Sequence, residues 1–478
     1  MILSTKANGS EYDKNTALPF FNTVKGNIMY FCPSHSITSS FARLIIVFLF
    51  SCSVSFAQTQ YHDFGFERSQ QIEVLSQSGI PLLYPWAGGV NSVRFSEIDL
   101  NLDGQKDLFI FEKNGNRILP FINDGSHYHY APEYIRFFPK LHDWVILADY
   151  NHDGLEDIFT YGLAGISVYQ NRSRDQLQFE LVQSALQSYY YNGYSNIYSS
   201  PDDYLVIADL DNDGDLDILN FWLLGKYVHY QRNYAMEVTG NAETFDFHLE
   251  DECWGKFSEG ADNNVITLHT NCNDRNEENN SRHVGSSMLA YDYDRNGVYD
   301  LILGDVDYPE VVYLHNGGTP DSAVMTSQTS FFPNTSQPIH LYSMPVLNFI
   351  DINHDGKKEL IASPSDPSLT KSQNLQSVWC YQFDELLNMY TLQTTSFLQE
   401  EMIDAGSGAY PLFYDWDHDG LQDMFIGNYG IYDSSNYVNG FLNSYYASSI
   451  AYYRNTGTTT EPKFKLITTD FGNLKQYN

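Results

Sequence analysis

From about residue 93 onward, short apolar runs alternate with polar, glycine-marked breaks. Six runs, "SVRFSEI", "DWVILA", "YLVIA", "SMLAY", "VLNFI" and "YPLFY", each lead into an acidic stretch. Six more, "LFIF", "IFTY", "ILNF", "LILG", "LIAS" and "MFIG", leave it. All are too short for helices, rich in β-branched and aromatic residues, and bounded by Gly, Asn and Asp. They read as strands paired across a tight turn. A third run ends on an aromatic residue and an asparagine, as in Phe121/Asn123, Tyr169/Asn171, Tyr230/Asn233, Tyr313/Asn316 and Tyr453/Asn455. A fourth follows in places, such as "FELVQ" (179–183) and "FKLIT" (464–468).

The turns between the first two runs share one plan. They are "DLNLDGQKD" (99–107), "DYNHDGLED" (149–157), "DLDNDGDLD" (209–217), "DYDRNGVYD" (292–300), "DINHDGKKE" (351–359) and "DWDHDGLQD" (415–423). Chance would give the pattern D-x-[DN]-x-[DN]-G-x-x-[DE] on the order of 0.01 times in such a chain. Successive copies start 50, 60, 83, 59 and 64 residues apart, periods that belong to propellers, solenoids or arrays. Four strands per unit predict an all-β fold of four-stranded β-propeller blades. Six motif-bearing repeats are visible over 58–478. The run "FERSQQIEVL" (66–75) resembles a fourth strand that precedes the first motif, and the chain also ends on such a strand. The surplus leads to an expectation of seven or more blades in a complete protein and of a C-terminus truncated at 478, the alternative being a simple lead-in strand. The long interval between the third and fourth motifs places an insertion at about 238–283.

The acidic turn has a physical requirement. Two carboxylates about 4 Å apart repel by roughly 4 kcal/mol at an effective dielectric of 20, so several in one loop need a cation. Many hard oxygens in a flexible cage suit Ca²⁺ better than Mg²⁺. Positions one, three, five and nine supply the side chains. These are Asp99, Asn101, Asp103 and Asp107; Asp149, Asn151, Asp153 and Asp157; Asp209, Asp211, Asp213 and Asp217; Asp292, Asp294, Asn296 and Asp300; Asp351, Asn353, Asp355 and Glu359; and Asp415, Asp417, Asp419 and Asp423. The glycine at six permits the bend and the carbonyl at seven can add an oxygen. Up to six calcium sites follow. His152, His354 and His418 occupy position four and are expected to face solvent. The closing acid at nine, with a strand beyond it, excludes an EF-hand, whose loop closes at twelve and enters a helix.

These units resemble FG-GAP/VCBS repeats, the calcium-loop blades of integrin-α-like propellers and of exported bacterial proteins. "LILGD" (301–305) and "MFIGNYG" (424–430) come nearest to the glycine signatures of that family. The resemblance implies metal loops on one rim that serve structure, and a scaffold in place of a catalyst.

Composition narrows the partners. The 478 residues include 60 acidic against 26 basic, a formal charge of −34, which disfavours nucleic acid and anionic membranes. Arg43 followed by "LIIVFLF" (44–50) and small residues at Ser55 and Ala57 reads as a signal segment over 1–57, with Met29 as an alternative start. The apolar stretch is too short to span a bilayer, so the expected location is secreted or on the outer cell surface. Export makes a Cys253–Cys272 disulfide plausible, whereas Cys380 reads as a small buried apolar residue. No catalytic motif is evident, and the expected role is non-catalytic binding or adhesion toward a glycan or an extracellular protein. A carbohydrate-active propeller, lectin or polysaccharide lyase, is the alternative. Tyrosine-rich "YYYNGYSNIY" (189–198) and "YVNGFLNSYYASSIAYY" (437–453), with Trp222, Trp254 and Trp416, are candidate contact residues or ordinary packing.

Overall fold

The computed structural model describes residues 69–477, apart from 224, 261–263, 273–285, 307, 343, 366–372 and 440. The signal segment expected over 1–57 lies outside the described residues. The described chain is nearly all β, and six of its sheets contain a run of four antiparallel strands. Sheet one is built from Val93–Ile98, Asp107–Glu112, Arg117–Asn123 and Tyr128–Tyr130. Sheet two comprises Val145–Ala148, Asp157–Gly162, Gly165–Asn171 and Phe179–Gln183. Sheet three uses Val206–Ala208, Asp217–Phe221, Val228–Asn233 and Phe247–Asp251. Sheet four has Ser286–Tyr291, Asp300–Asp305, Val311–Asn316 and Met325–Thr329. Sheet five has Pro345–Ile350, Glu359–Pro364, Trp379–Asp384 and Met389–Thr394. Sheet six has Ser407–Tyr414, Asp423–Val438, Ile450–Asn455 and Phe464–Thr468.

In every sheet the first two strands pair across an acidic turn, and the motif's ninth residue opens the second strand. That second strand is the apolar centre of its unit. All six residues of Asp107–Glu112 are buried, because both faces are covered by neighbouring sheets. Such strands read as continuous apolar runs, whereas the solvent-facing fourth strands alternate.

Apolar layers join the sheets in succession. Phe109 and Phe111 meet Val145 and Ile158 between sheets one and two. Phe159 and Val168 meet Ile218 and Phe247 between two and three, and Leu219 and Tyr230 meet Met288 and Leu301 between three and four. Leu347 and Leu360 pack on Ile302 and Val311 between four and five. A fifth layer, with Phe95 and Leu119 against Ile350 and Ile361, brings sheet five onto sheet one. There the Val93 N–H donates to Ser363 Oγ at 3.1 Å and the Phe95 N–H to Asn348 Oδ1 at 3.2 Å. One cavity of about 640 Å³ is lined by residues from the first strands of sheets one to five.

Sheet six stands apart from that succession, with its own apolar cluster of Val74, Met424, Ile426, Tyr453 and Phe464. Seven of the eight residues of its first strand, Ser407–Tyr414, are exposed. Asn374, in the segment leading into Trp379–Asp384, ties it down by donating to Ser407 Oγ at 2.8 Å and to the Gly430 carbonyl at 2.9 Å. The surplus N-terminal run is a two-residue strand, Val74–Leu75, which adds parallel to Phe464–Thr468.

The segment expected to be one insertion divides into two parts. Phe247–Asp251 is the fourth strand of sheet three, paired with Val228–Asn233. Beyond it, a hairpin of Phe257–Glu259 and Ile266–Leu268 carries the Cys253–Cys272 disulfide, which is formed. Cys380 is buried and unpaired, and burial pushes its thiol up to about 12. Among the described residues, no helix is long and apolar enough to cross a membrane.

Candidate metal centres

Each acidic loop is wound by its own backbone. In the first loop, Asp99 accepts the N–H of Asp103 at 3.1 Å and of Gly104 at 2.8 Å, while Asp103 accepts that of Gln105 at 2.8 Å. The same three bonds recur in the second to fifth loops. The winding needs two left-handed residues. The glycine at six supplies one, with φ near +86° at Gly154 and Gly297. Position four supplies the other, although it holds Leu102, His152, Asn212, Arg295, His354 and His418, with φ between 58° and 62°. Asn212 and the three histidines are of types enriched in this region, whereas Leu102 and Arg295 are not.

The position-four histidines are exposed, but two of them do more than face solvent. His152 Nε2 meets the Gly214 carbonyl of the next loop. His354 Nε2 lies 2.6 Å from Asn123 Nδ2 and 3.2 Å from the Tyr128 hydroxyl, linking the fifth loop to sheet one.

The acid at nine is buried and works inside the sheet. One Asp107 oxygen accepts the Leu100 N–H at 2.8 Å and the other accepts the Asn123 N–H at 2.7 Å. Asp157, Asp217, Asp300 and Asp423 repeat this with Asn171, Asn233, Asn316 and Asn455. The asparagine closing these five third runs is explained by its side chain: the Nδ2 of Asn123, Asn171, Asn233, Asn316 and Asn455 donates to the carbonyl of the loop's eighth residue, while the backbone N–H docks on the acid. Burial raises three of them despite the donors, Asp107 to about 6, Asp157 to about 7 and Asp217 to about 8. In the third, fourth and sixth units a tyrosine hydroxyl also donates to the ninth acid, at 3.0 Å from Tyr230, 2.8 Å from Tyr313 and 3.0 Å from Tyr452.

Positions three and five are cross-linked in two ways. Where one is asparagine, its amide donates to the neighbouring acid: Asn101 to Asp103 at 2.8 Å, Asn151 to Asp153 at 3.0 Å and Asn296 to Asp294 at 3.2 Å. Asn353 donates to Glu359 instead, at 2.8 Å. Where both are aspartate, an arginine from the third strand bridges them. Arg232 lies 2.7 Å from Asp211 and 3.7 Å from Asp213, the closer contact an ion pair without an aligned hydrogen bond. Arg454 lies 2.6 Å from Asp417 and 3.4 Å from Asp419. His315 holds the same place beside Asp294 and Asp300, at 3.4 and 3.3 Å. The third-strand signature Tyr-x-[Arg/His]-Asn marks these three units and was legible in the sequence, though only its aromatic and asparagine drew notice. Counted formally, with every ligand-position acid ionised, the arginines positive and His315 neutral, each loop sums to three negative charges.

The donor set fits a hard divalent cation. Oxygens of Asp209, Asp211 and Asp217 converge within 4.8 Å, as do those of Asp415, Asp417 and Asp419. Asp213 Oδ2 and Asp415 Oδ1 are buried without a hydrogen-bond partner; the Arg232 guanidinium faces the first at 3.7 Å, whereas the second is costly unless a cation meets it.

The candidate contact residues part company. Trp254 is buried between sheets three and four, and Trp222 lies against Tyr227 beside the disulfide. The first tyrosine stretch forms the hairpin Gln187–Tyr190 and Gly193–Asn196 on the edge of sheet three, leaving Tyr189, Tyr191 and Tyr194 exposed. The second extends sheet six into an arm in which Phe441–Ala447 pairs with the far half of Asp423–Val438, with Tyr437 and Tyr445 exposed.

A family model described as the FG-GAP-like repeat matches residues 99–160, from the first acidic loop into the second strand of sheet two. The chain carries an FG-GAP-like repeat. A search of curated proteins finds no significant match. Among solved structures, a lectin from Agrocybe aegerita, described as recognising non-reducing terminal N-acetylglucosamine, aligns at 15% identity over 81% of this chain and 83% of its own, with a TM-score of 0.31. The Photorhabdus luminescens Tc holotoxin pore aligns at 11% identity over 79% of this chain and 15% of its own, with a TM-score of 0.23. The match spans the first two acidic loops whole, the last three strands of sheet one and the first strand of sheet two.

Proposed function

We propose that the chain is an exported, calcium-stabilised β-propeller that acts as a non-catalytic binding module. The calcium reading rests on six loops that share left-handed backbone at positions four and six and on the orphan oxygen of Asp415. The propeller reading rests on the five apolar layers that lead from sheet one back to sheet one, which make five blades with sheet six attached outside.

The observation that carries the binding role is the uncovered first strand of sheet six. Its counterpart in sheet five, Pro345–Ile350, is wholly buried, yet Tyr410, Leu412, Phe413 and Tyr414 stand in solvent, as does half of Trp416, whose ring packs on Phe425 and Phe471. Tyr410, Leu412 and Tyr414 share one face of this strand and Phe413 lies on the other; exposed apolar side chains of this kind mark an interaction surface, and the tyrosines suit either a sugar ring or a protein. The nearby tyrosine arm enlarges it.

Two measurements test the reading. Thermal melts of residues 58–478 in millimolar calcium and in excess chelator are expected to differ by many degrees, with calcium and not magnesium restoring the higher value. An unchanged melt would remove the calcium part. A screen against neutral polysaccharides and extracellular-matrix proteins, scored for binding and for bond cleavage, tests the rest. Binding without cleavage that is lost when Leu412 and Phe413 are both changed to Asp is the expected result; cleavage of a polysaccharide would overturn it.

A further inference from the structure

The cavity shared by the first strands of sheets one to five contains a cation that the metal loops do not use. Arg94, on Val93–Ile98, lines it and is 7% exposed. Its Nη1 is buried with no hydrogen-bond partner, and no carboxylate of the described residues forms an ion pair with it. Its guanidinium rests on the Tyr204 ring, 5.2 Å from the centroid, and Lys113 approaches the same ring at 5.6 Å. Stacking fixes the side chain but leaves its donors unspent. Taking a charge out of water costs several kcal/mol, and an unpaired arginine in so acidic a chain is an anomaly unless something anionic completes it.

The cavity suits such a completion. Its volume of about 640 Å³ admits a small organic molecule, and Ser96, Asn348, Tyr291, Tyr299 and Lys358 supply polar groups around it. The guanidinium fork matches a planar carboxylate, and the surrounding amide and hydroxyl groups match a polyol. Glu97, Asp149, Glu156 and Asp292 also line the wall, so a ligand with several negative charges would be repelled. We propose that the cavity binds a small, singly charged hydroxylated carboxylate of the sugar-acid class, its carboxylate held by Arg94. The site is separate from the exposed strand of sheet six; Asp149 and Asp292 of two acidic loops line its other end, so the test is run with and without calcium.

The test uses sodium glucuronate as probe, with glucose and sodium sulfate as controls, read by thermal shift and calorimetry in calcium and again in chelator. Glucuronate is expected to raise the wild-type melt by about 3 °C at a hundred-fold excess over Kd. Glucose and sulfate are expected to do little. Arg94→Met keeps the apolar stem over Tyr204 and removes the charge. It is expected to melt no lower than wild type without ligand and to lose the glucuronate shift. If that variant does not fold, Arg94→Lys keeps a charge without the fork, and its shift is expected to fall by at least half. A wild type indifferent to glucuronate, a shift that survives in Arg94→Met, a shift undiminished in Arg94→Lys, or an equal shift from sulfate would each overturn the proposal.

Discussion

Replacing Arg232 by Gln strips the third loop of its internal cation. The lost pair is deeply placed: the Asp211 side chain is 1% exposed and that of Arg232 20%. Breaking a fully buried pair costs about 3–5 kcal/mol, and the partial exposure of Arg232 lowers the expectation to about 2 kcal/mol. Some 400 folded residues carry an unfolding entropy of about 0.8 kcal/mol/K, so the melt in chelator should fall by about 2–3 °C. The decisive variant is the double change Arg232→Gln with Asp211→Asn. It rebuilds the pattern of the first two loops, with asparagine at three, aspartate at five and no arginine, and should regain most of the loss. Calcium sharpens the contrast. With Arg232 gone the loop carries one more negative charge, and its calcium should bind roughly ten-fold tighter, since a unit charge about 6 Å from a divalent ion is worth about 1.4 kcal/mol even in water. Differential scanning calorimetry gives the first quantity and isothermal titration the second. A single variant that melts like wild type in chelator, or a double variant no better than the single, would refute the idea that the arginine balances the loop.

Arg454→Gln should cost less than about 1 °C in the same assay, because that arginine is 48% exposed and screened by water. In chelator, stability should fall as pH rises from about 4 to about 8. Asp157 and Asp217, lifted from 3.8 to about 7 and about 8, still hold protons in the folded chain that the unfolded chain has released. Calcium should flatten this slope; melts that rise with pH in chelator would contradict the burial argument. Changing both Cys253 and Cys272 to Ser should cost about 3 kcal/mol, the closure entropy of a loop of roughly 20 residues, measured by denaturant unfolding. Cys380 should resist thiol reagents until the chain unfolds, because burial raises its thiol to about 12; rapid labelling of the native protein would show that sheet five opens.

The strands were legible because their signals are local. Each acidic turn with its glycine fixed a hairpin, and the ninth acid opens the second strand in all six sheets. The fourth strands Phe179–Gln183 and Phe464–Thr468 match their runs residue for residue. What escaped was set by partners distant in sequence. Phe247–Asp251 belongs to sheet three because Val228–Asn233 pairs with it, while its composition resembles the polar segment around it. The exposure of Tyr410–Tyr414 depends on which sheet lies beside it, and the apolar letters there read like those of buried first strands. Arg232 and Arg454 lie 15 and 31 residues beyond the loops they bridge, so spacing within the motif could not announce them.

The short strand Val74–Leu75 has a mechanical consequence. It runs parallel to Phe464–Thr468 and is held there by the Phe464 N–H on the Glu73 carbonyl at 3.0 Å, a Glu73–Lys463 ion pair at 2.6 Å and Gln77 on the Ile467 carbonyl at 3.1 Å. Tension entering ahead of Val74 and leaving beyond Thr468 would pull these strands past each other lengthwise. Their bonds would then share the load together and would not unzip one at a time. A chain tethered on one side and gripped on the other would transmit force through sheet six, leaving the five sheets around the cavity unstressed until this small clasp gave way.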